Sequence, residues 1–160
     1  SSEEKKPFPV FKAVDLTQWI CVYHKANYDS ANQLLDTLQK CSKAYGINVA
    51  EPVWLELDST KLKDWLEEVE AANPKKYQIV VFLLDRYLDK LYSGLKVNSL
   101  SDVGYRSSVI KPESLSKNAM SVGSKFLLQV NYKLGGATYK VDFDPKVKVI
   151  FFYFSKITIW

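Results

Sequence analysis

The feature that most constrains the fold is a continuous apolar run at residues 77–84, which reads YQIVVFLL. A strand with one face in water alternates apolar and polar side chains, whereas a strand covered on both faces is apolar throughout. A second run of this kind, WICVYH, stands at residues 19–24. The two runs therefore predict central strands of a mostly parallel sheet that is covered on both faces.

Helical periodicity follows each of the first two predicted strands. Apolar side chains recur there at the spacing of an amphipathic helix. Gly46 ends the first of these segments and Asn73-Pro74 ends the second, as expected at helix termini. Further strands are predicted at residues 53–58 and 107–111, and a long helix at residues 114–132. This alternation predicts an α/β, Rossmann-like domain with a mostly parallel central sheet and helices on both faces.

The length and composition suit one globular domain. The chain has 160 residues, of which 47% are hydrophobic and 25% are charged. We predict a polar tail or linker at residues 1–13, the domain at residues 14–145 and an apolar strand at residues 146–160. The apolar end is too short and too interrupted to span a bilayer, and the charged first residues do not resemble a signal peptide. We therefore expect no membrane partner.

The charge and the cysteine content exclude several classes of site. A formal charge of +4 permits a local phosphate site without indicating a general polyanion binder. Two cysteines without a CxxC motif and a single histidine argue against a zinc cluster and against a disulfide framework. This composition favours a reduced, intracellular setting, either cytoplasmic or nuclear.

Two predicted helices each carry a lysine one turn after an aromatic or polar residue. Tyr92 and Lys96 follow the most apolar strand, and Gln129 and Lys133 stand near the end of the long helix, before a double glycine. Residues one turn apart lie on the same helix face. The sequence lacks the glycine fingerprints of dinucleotide and P-loop sites, so side chains would have to hold a phosphate. We expect such a site beyond the carboxyl ends of the strands.

Several blocks of the sequence resemble the MID domain of Argonaute proteins, specifically the PIWI clade. The blocks are QIVVFLLDRYLDKLYSGLK, YRSSVIK, AMSVGSKFLLQVNYKLGG and YKVDF, and the similarity covers roughly residues 14–143. The resemblance implies a role in RNA silencing as a small-RNA-binding module. Such a module anchors the 5′-phosphorylated first nucleotide of a guide RNA, here of the piRNA type. Residues 146–160 would then begin a truncated PIWI domain.

The resemblance also implies a role for each candidate site residue. Tyr92 would stack on the first base, and Lys96 and Lys133 would bind the 5′-phosphate. Gln129 would help to bind that phosphate by holding a magnesium ion that bridges guide phosphates. A loop at residues 84–89 would contact the first base, with a preference for uridine.

Arg106 is a departure from the family pattern, which has glutamine at that position. A guanidinium group adds a full positive charge and can bind a phosphate through two parallel hydrogen bonds. We therefore assign Arg106 to the 5′-phosphate site. Its charge puts the usual amide contact in doubt and reduces the need for Mg²⁺ as a cofactor.

Cleavage of RNA by this chain is not expected. In the family, slicing uses aspartates of the PIWI domain, and Phe154 stands where the first of them would be expected. Two-metal cleavage needs clustered carboxylates, and the sequence offers no such cluster. The expected partners are a single-stranded small RNA with a 5′-phosphate and, if the chain is part of a larger protein, other Argonaute domains.

Two alternatives stay open at this stage. One is a Rossmann-like nucleotide-handling enzyme or sensor, for which His24 is the only obvious general base. The other is a protein-interaction remnant that has lost guide binding. Taken alone, the spacing of Tyr92 and Lys96 also fits an amphipathic helix with a packed ring and a solvated lysine.

Overall fold

The structure is a computed structural model that describes residues 12–102 and 104–136. The predictions for residues 1–11 and 137–160 lie outside the described residues. They include most of the N-terminal tail, the apolar strand expected at residues 146–160 and the position of Phe154.

Four strands and four helices alternate along the described chain. The strands are β1 (Trp19–His24), β2 (Val53–Leu57), β3 (Ile79–Leu83) and β4 (Ser107–Ile110). The helices are α1 (Tyr28–Tyr45), α2 (Leu62–Ala71), α3 (Tyr92–Leu100) and α4 (Pro112–Lys133). Short 3₁₀ turns lie at Lys25–Asn27, Pro74–Lys76 and Asp89–Leu91.

The four strands form one parallel sheet in the order β2-β1-β3-β4. The two continuous apolar runs become β1 and β3, which are the two inner strands. Trp19 pairs with Ile79, and Val80 pairs with Ser107. The predicted α/β, Rossmann-like fold is confirmed.

Helices cover both faces of the sheet, and this explains why the inner strands are apolar without alternation. Trp19 and Cys21 point into a core cluster formed with α1 and α4. Ile20 and Val22 point into a second cluster formed with α2 and α3. Since successive side chains of a strand point to opposite faces, each inner strand needs apolar residues at every position.

The long predicted helix is observed as α4, with one interruption. Asn118 has backbone angles of φ −154° and ψ 64°, which are not helical. After this kink the helix runs close against α1, where Gly123 faces Thr37 and Cys41. The packing of α4 on α1 fixes the end of α4, where Lys133 is the last helical residue.

Candidate functional site

Helix α3 begins at Tyr92, directly after the 3₁₀ turn that follows β3. Tyr92 is half-buried and packs against the core cluster between the sheet and α2 and α3. Burial raises the pKa of the Tyr92 phenol above its ordinary value. The ring is therefore held against the domain and is neutral near pH 7.

Lys96 lies one turn further along α3 and reaches the sheet. Its Nζ donates to the carbonyl oxygen of Ser107 at 3.1 Å and to Ser107 Oγ at 3.2 Å. The side chain is half-buried. Burial, and then the positive charge of Lys133, lower the pKa of Lys96 from 10.5 to about 8.

Lys133 is the last residue of α4, the helix that packs on the other face of the sheet. It is half-buried at the end of α4, and burial lowers the pKa of its ammonium group. The positive charge of Lys133 lowers the pKa of Lys96, so the two side chains lie within electrostatic range of one another. Two like charges that are partly removed from water destabilise each other, and an anion between them would relieve this repulsion.

The lysine pair lies at the amino end of β4. Ser107, which accepts from Lys96, is the first residue of that strand. Lys96 therefore lies away from the carboxyl ends of the strands, where the sequence predicted a phosphate site, and the position of the bound phosphate stays a prediction. A helix that follows a parallel strand runs back along the sheet toward the amino ends of the strands. Lys96 lies past the first turn of α3 and is therefore distant from the carboxyl edge. Lys133 has moved back in the same way along α4.

Arg106 stands at this same end of the sheet. Its carbonyl oxygen accepts from the backbone N–H of Val80 at 2.9 Å, so its backbone is fixed beside β3. Its side chain is exposed. Arg106 is the direct neighbour of Ser107, and this places a third positive charge next to the strand residue that holds Lys96.

Gln129 lies one turn before Lys133 but lines a different depression. It borders a cavity of about 400 Å³ between β4 and α4, together with Lys111 and Lys125. Lys111 forms an ion pair of 2.8 Å with Asp89. Within residues 12–102 and 104–136, no hydrogen bond joins Gln129 to the lysine pair. The structure thus brings Lys96 and Lys133 together, with Gln129 at the rim of the neighbouring cavity.

The loop after β3 is ordered by Asp85. Its Oδ1 accepts from the backbone N–H groups of Tyr87 and Leu88, at 2.9 and 3.1 Å. Asn27 Nδ2 donates to the other carboxylate oxygen at 3.0 Å. The loop presents the Tyr87 ring, which is 71% exposed and lies beneath the guanidinium group of Arg86. An exposed aromatic ring on a fixed loop can contact a base.

His24 and Cys21 have structural roles in the described chain. The Nδ1 atom of His24 accepts from the backbone N–H of Ala26 at 3.1 Å and caps the turn after β1. Cys21 is fully buried, and burial raises the pKa of its thiol. Neither side chain is arranged as an activated base or nucleophile.

The described residues offer little for a metal ion. They contain no group of three or more histidine, cysteine, aspartate or glutamate side chains placed to hold one. None of the helices in the described ranges has the length and apolar character needed to cross a membrane.

Two serines at the site were not predicted from the sequence. Ser107 accepts from Lys96, and Ser99 hydrogen-bonds to Ser107. Serine is common and has no spacing rule that marks such a role, so no signal in the sequence identifies this pair.

Comparison with solved structures defines the class of domain. The described fold matches Drosophila Piwi with a TM-score of 0.75 and 17% identity, over 86% of this chain and 20% of that one. It matches the Arabidopsis thaliana AGO5 MID domain with a TM-score of 0.64 and 17% identity, over 84% of this chain and 99% of that one. A third match, at a TM-score of 0.64 and 20% identity over 81% of this chain and 20% of that one, is Aa-Ago with externally bound siRNA. The chain therefore has the fold of an Argonaute MID domain.

Sequence comparison finds relatives among Piwi-like and Argonaute proteins. The chain is 28% identical to Piwi-like protein 1 of Gallus gallus over 151 residues, which is 93% of this chain and 17% of that protein. It is 27% identical to argonaute-3 of Drosophila melanogaster over 139 residues, which is 86% of this chain and 16% of that protein. No family model matches the chain. The resemblance to the MID domain of the PIWI clade is confirmed, and the chain spans 15 to 17% of the length of the first relatives it matches.

Proposed function

We propose that this chain is a small-RNA-binding module that holds the 5′-phosphorylated first nucleotide of a guide RNA. The observation that carries the proposal is the pair of half-buried ammonium groups of Lys96 and Lys133. Burial lowers the pKa of both groups, and the positive charge of Lys133 lowers the pKa of Lys96 further. The similarity to Argonaute MID domains and to Piwi-like proteins gives this anion site its substrate class.

A terminal phosphate monoester fits the charge at the amino end of β4. It carries about 1.5 to 2 negative charges near neutral pH, more than an internal phosphodiester. Lys96 and Lys133 supply two positive charges, and the exposed guanidinium of Arg106 supplies a third. We propose that the phosphate lies between the lysines and that Arg106 closes over it from the solvent side.

Tyr92 is the proposed stacking platform for the first base. It precedes Lys96 by one turn on α3, which is about 5 Å along the helix axis. That distance suits a nucleotide whose phosphate rests on the lysine and whose base rests on the ring. Stacking on an aromatic side chain contributes about 1 to 3 kcal/mol. With charge-assisted hydrogen bonds of about 1.5 to 3 kcal/mol each, the domain would bind a nucleoside monophosphate at roughly micromolar to millimolar strength.

The described residues do not fit a magnesium ion held by the protein. Magnesium prefers several oxygen ligands, usually carboxylates. Gln129 offers one amide oxygen, and Lys133, one turn later on the same helix, carries a positive charge. We propose that this site binds phosphate through its own cations, with Arg106 in place of a metal. Arg106→Gln should make binding weaker in chelator than in magnesium, and equal binding in both would contradict this assignment.

The direct test compares one short RNA with a 5′-phosphate and with a 5′-hydroxyl. The proposal predicts that the phosphorylated RNA binds at least about tenfold more tightly, as expected from one charge-assisted contact of 1.4 kcal/mol or more. Lys96→Met should remove this preference, whereas Lys125→Met, which removes an exposed lysine of α4, should keep it. No preference would support the protein-interaction remnant instead, and release of a product would support the enzyme.

The proposal extends to partners and location. The chain spans only about a sixth of each relative, so we propose that other Argonaute domains pack around it in a longer protein. We also propose that the chain itself is not an enzyme, that the first base is preferably uridine, and that the module acts inside the cell.

A further inference from the structure

A closed set of hydrogen bonds holds the ammonium group of Lys96. Lys96 Nζ donates to the carbonyl oxygen and to Oγ of Ser107, at 3.1 and 3.2 Å. Ser107 Oγ donates to Ser99 Oγ at 3.1 Å, and Ser99 Oγ donates to the carbonyl oxygen of Lys96 at 2.8 Å. These bonds tie α3 to the first residue of β4.

The direction of these hydrogen bonds is fixed because each hydroxyl group has a single proton. Ser99 directs its proton to the carbonyl oxygen of Lys96, and Ser107 directs its proton to Ser99. The lone pairs of Ser107 Oγ therefore face the ammonium group. The two serines are only 4% and 7% exposed, so water does not easily replace these partners.

Within residues 12–102 and 104–136, the hydrogen bonds of the Lys96 amino group leave one of its directions for a ligand. An ammonium group has three N–H donors, and Ser107 accepts two of them. A neutral amine has two hydrogens and one lone pair. When both hydrogens remain on Ser107, the third direction carries the lone pair, which repels an anion. One proton on Lys96 thus decides whether the third direction attracts or repels a phosphate.

We propose that Ser99 and Ser107 are positioning residues that reserve one N–H of the Lys96 ammonium for the phosphate, so that an anion binds only when this group is protonated. The inference rests on the proposed function, because it takes the ligand to be a phosphate. When Lys96 is neutral in the free protein, the binding of a phosphate is accompanied by the uptake of one proton from the solvent.

The other titratable groups around Lys96 determine how its protonation can be measured. Burial and the charge of Lys133 lower the pKa of Lys96 to about 8, and no carboxylate contributes to that shift. Burial raises the pKa of Tyr105 to about 12 and also raises the pKa of Tyr92, so both phenols stay neutral below about pH 9. Lys133 also has a lowered pKa, so variants that leave it intact are needed.

The test measures the pKa of Lys96 by NMR and the affinity for uridine 5′-monophosphate between about pH 7 and about pH 9. The wild-type chain should bind about tenfold more weakly at the upper end of this range, since about a tenth of Lys96 then keeps its proton. Ser107→Ala removes an acceptor of the charged form, so it should lower the pKa of Lys96 and move the loss of binding to lower pH. Ser99→Ala should act in the same direction, and Ser107→Thr should restore the wild-type profile.

Each serine has a matched control. Ser108 is the next residue of β4, is 7% exposed like Ser107, and lies on the opposite face of the strand. Ser42 of α1 is 4% exposed like Ser99 and donates to the carbonyl oxygen of Gln39, also three residues earlier, at 3.0 Å. Ser108→Ala and Ser42→Ala should leave the pKa of Lys96 unchanged.

The outcomes separate this inference from the proposed function. If the wild-type chain binds the nucleotide but Ser107→Ala and Ser99→Ala keep its pH profile, the positioning role is overturned and the proposed function stands. The role is also overturned if the control variants change the profile equally. If the wild-type chain does not bind uridine 5′-monophosphate at all over this pH range, both proposals are overturned.

Discussion

Replacing Lys133 with methionine tests the closeness of the two lysines without any ligand. In the wild-type structure, burial and then the charge of Lys133 lower the pKa of Lys96 from 10.5 to about 8. Methionine keeps the apolar stem that packs at the end of α4 and removes the charge. The pKa of Lys96 should therefore rise in Lys133→Met.

The size of the rise is bounded by the structure. Burial is the larger cause of the lowered pKa and remains in the variant. The pKa of Lys96 should consequently settle above about 8 but clearly below 10.5. Its hydrogen bonds to Ser107 are unaffected, so the position of the amino group stays the same.

The assay is an NMR titration of the Lys96 side-chain signal in the wild-type chain and in Lys133→Met. Lys125→Met is the control, because Lys125 is an exposed lysine two turns earlier on the same helix. It should leave the pKa of Lys96 as it is. An unchanged pKa in Lys133→Met, or an equal rise in Lys125→Met, would refute the arrangement of charges that we describe.

Three further predictions concern stability and stacking. Lys96 binds its proton less tightly in the folded chain than in the unfolded chain. The free energy of unfolding of the wild type, relative to that of Lys96→Met, should therefore rise by about 1 to 3 kcal/mol from about pH 7 to about pH 10. Denaturant melts measure this change, and equal pH profiles of the two proteins would contradict it. Gly123→Ala should destabilise by about 1 to 3 kcal/mol, because a Cβ there would lie 2.7 Å from Thr37 Cγ2. Thr37→Ser, which removes that methyl group, should recover most of the loss, and no recovery would place the strain elsewhere. Tyr92→Ala should weaken nucleotide binding by about 1 to 3 kcal/mol in calorimetry, whereas Tyr92→Phe, which keeps the ring, should bind like the wild type; an equal loss in both variants would contradict a stacking role.

The sheet could be predicted from the sequence because its two inner strands have an unambiguous pattern. The runs at residues 19–23 and Ile79–Leu83 are buried and apolar at every position, as expected of a strand covered on both faces. The outer strand β2 is half-exposed, and the alternation of side chains along it predicts a strand. Periodicity alone did not reveal the kink at Asn118 within α4, because apolar spacing continues on both sides of it.

Only part of the candidate site could be predicted from the sequence. Spacing along α3 and α4 placed each lysine on a helix face, but it could not show that Lys96 reaches the amino end of β4. That position depends on how far α3 runs back along the sheet, which is a tertiary property. The partners of Lys96 could not be predicted either, since Ser107 reaches it from a different element. The tertiary packing therefore determines where the candidate site lies, whereas the sequence spacing identifies its candidate residues.

The most direct test of the central claim is a crystal structure of the chain with bound uridine 5′-monophosphate. Our account predicts phosphate oxygens within hydrogen-bonding distance of Nζ of both Lys96 and Lys133, with the base against the ring of Tyr92. A nucleotide bound instead in the cavity beside Gln129 and Lys125, with the lysine pair left unliganded, would contradict it.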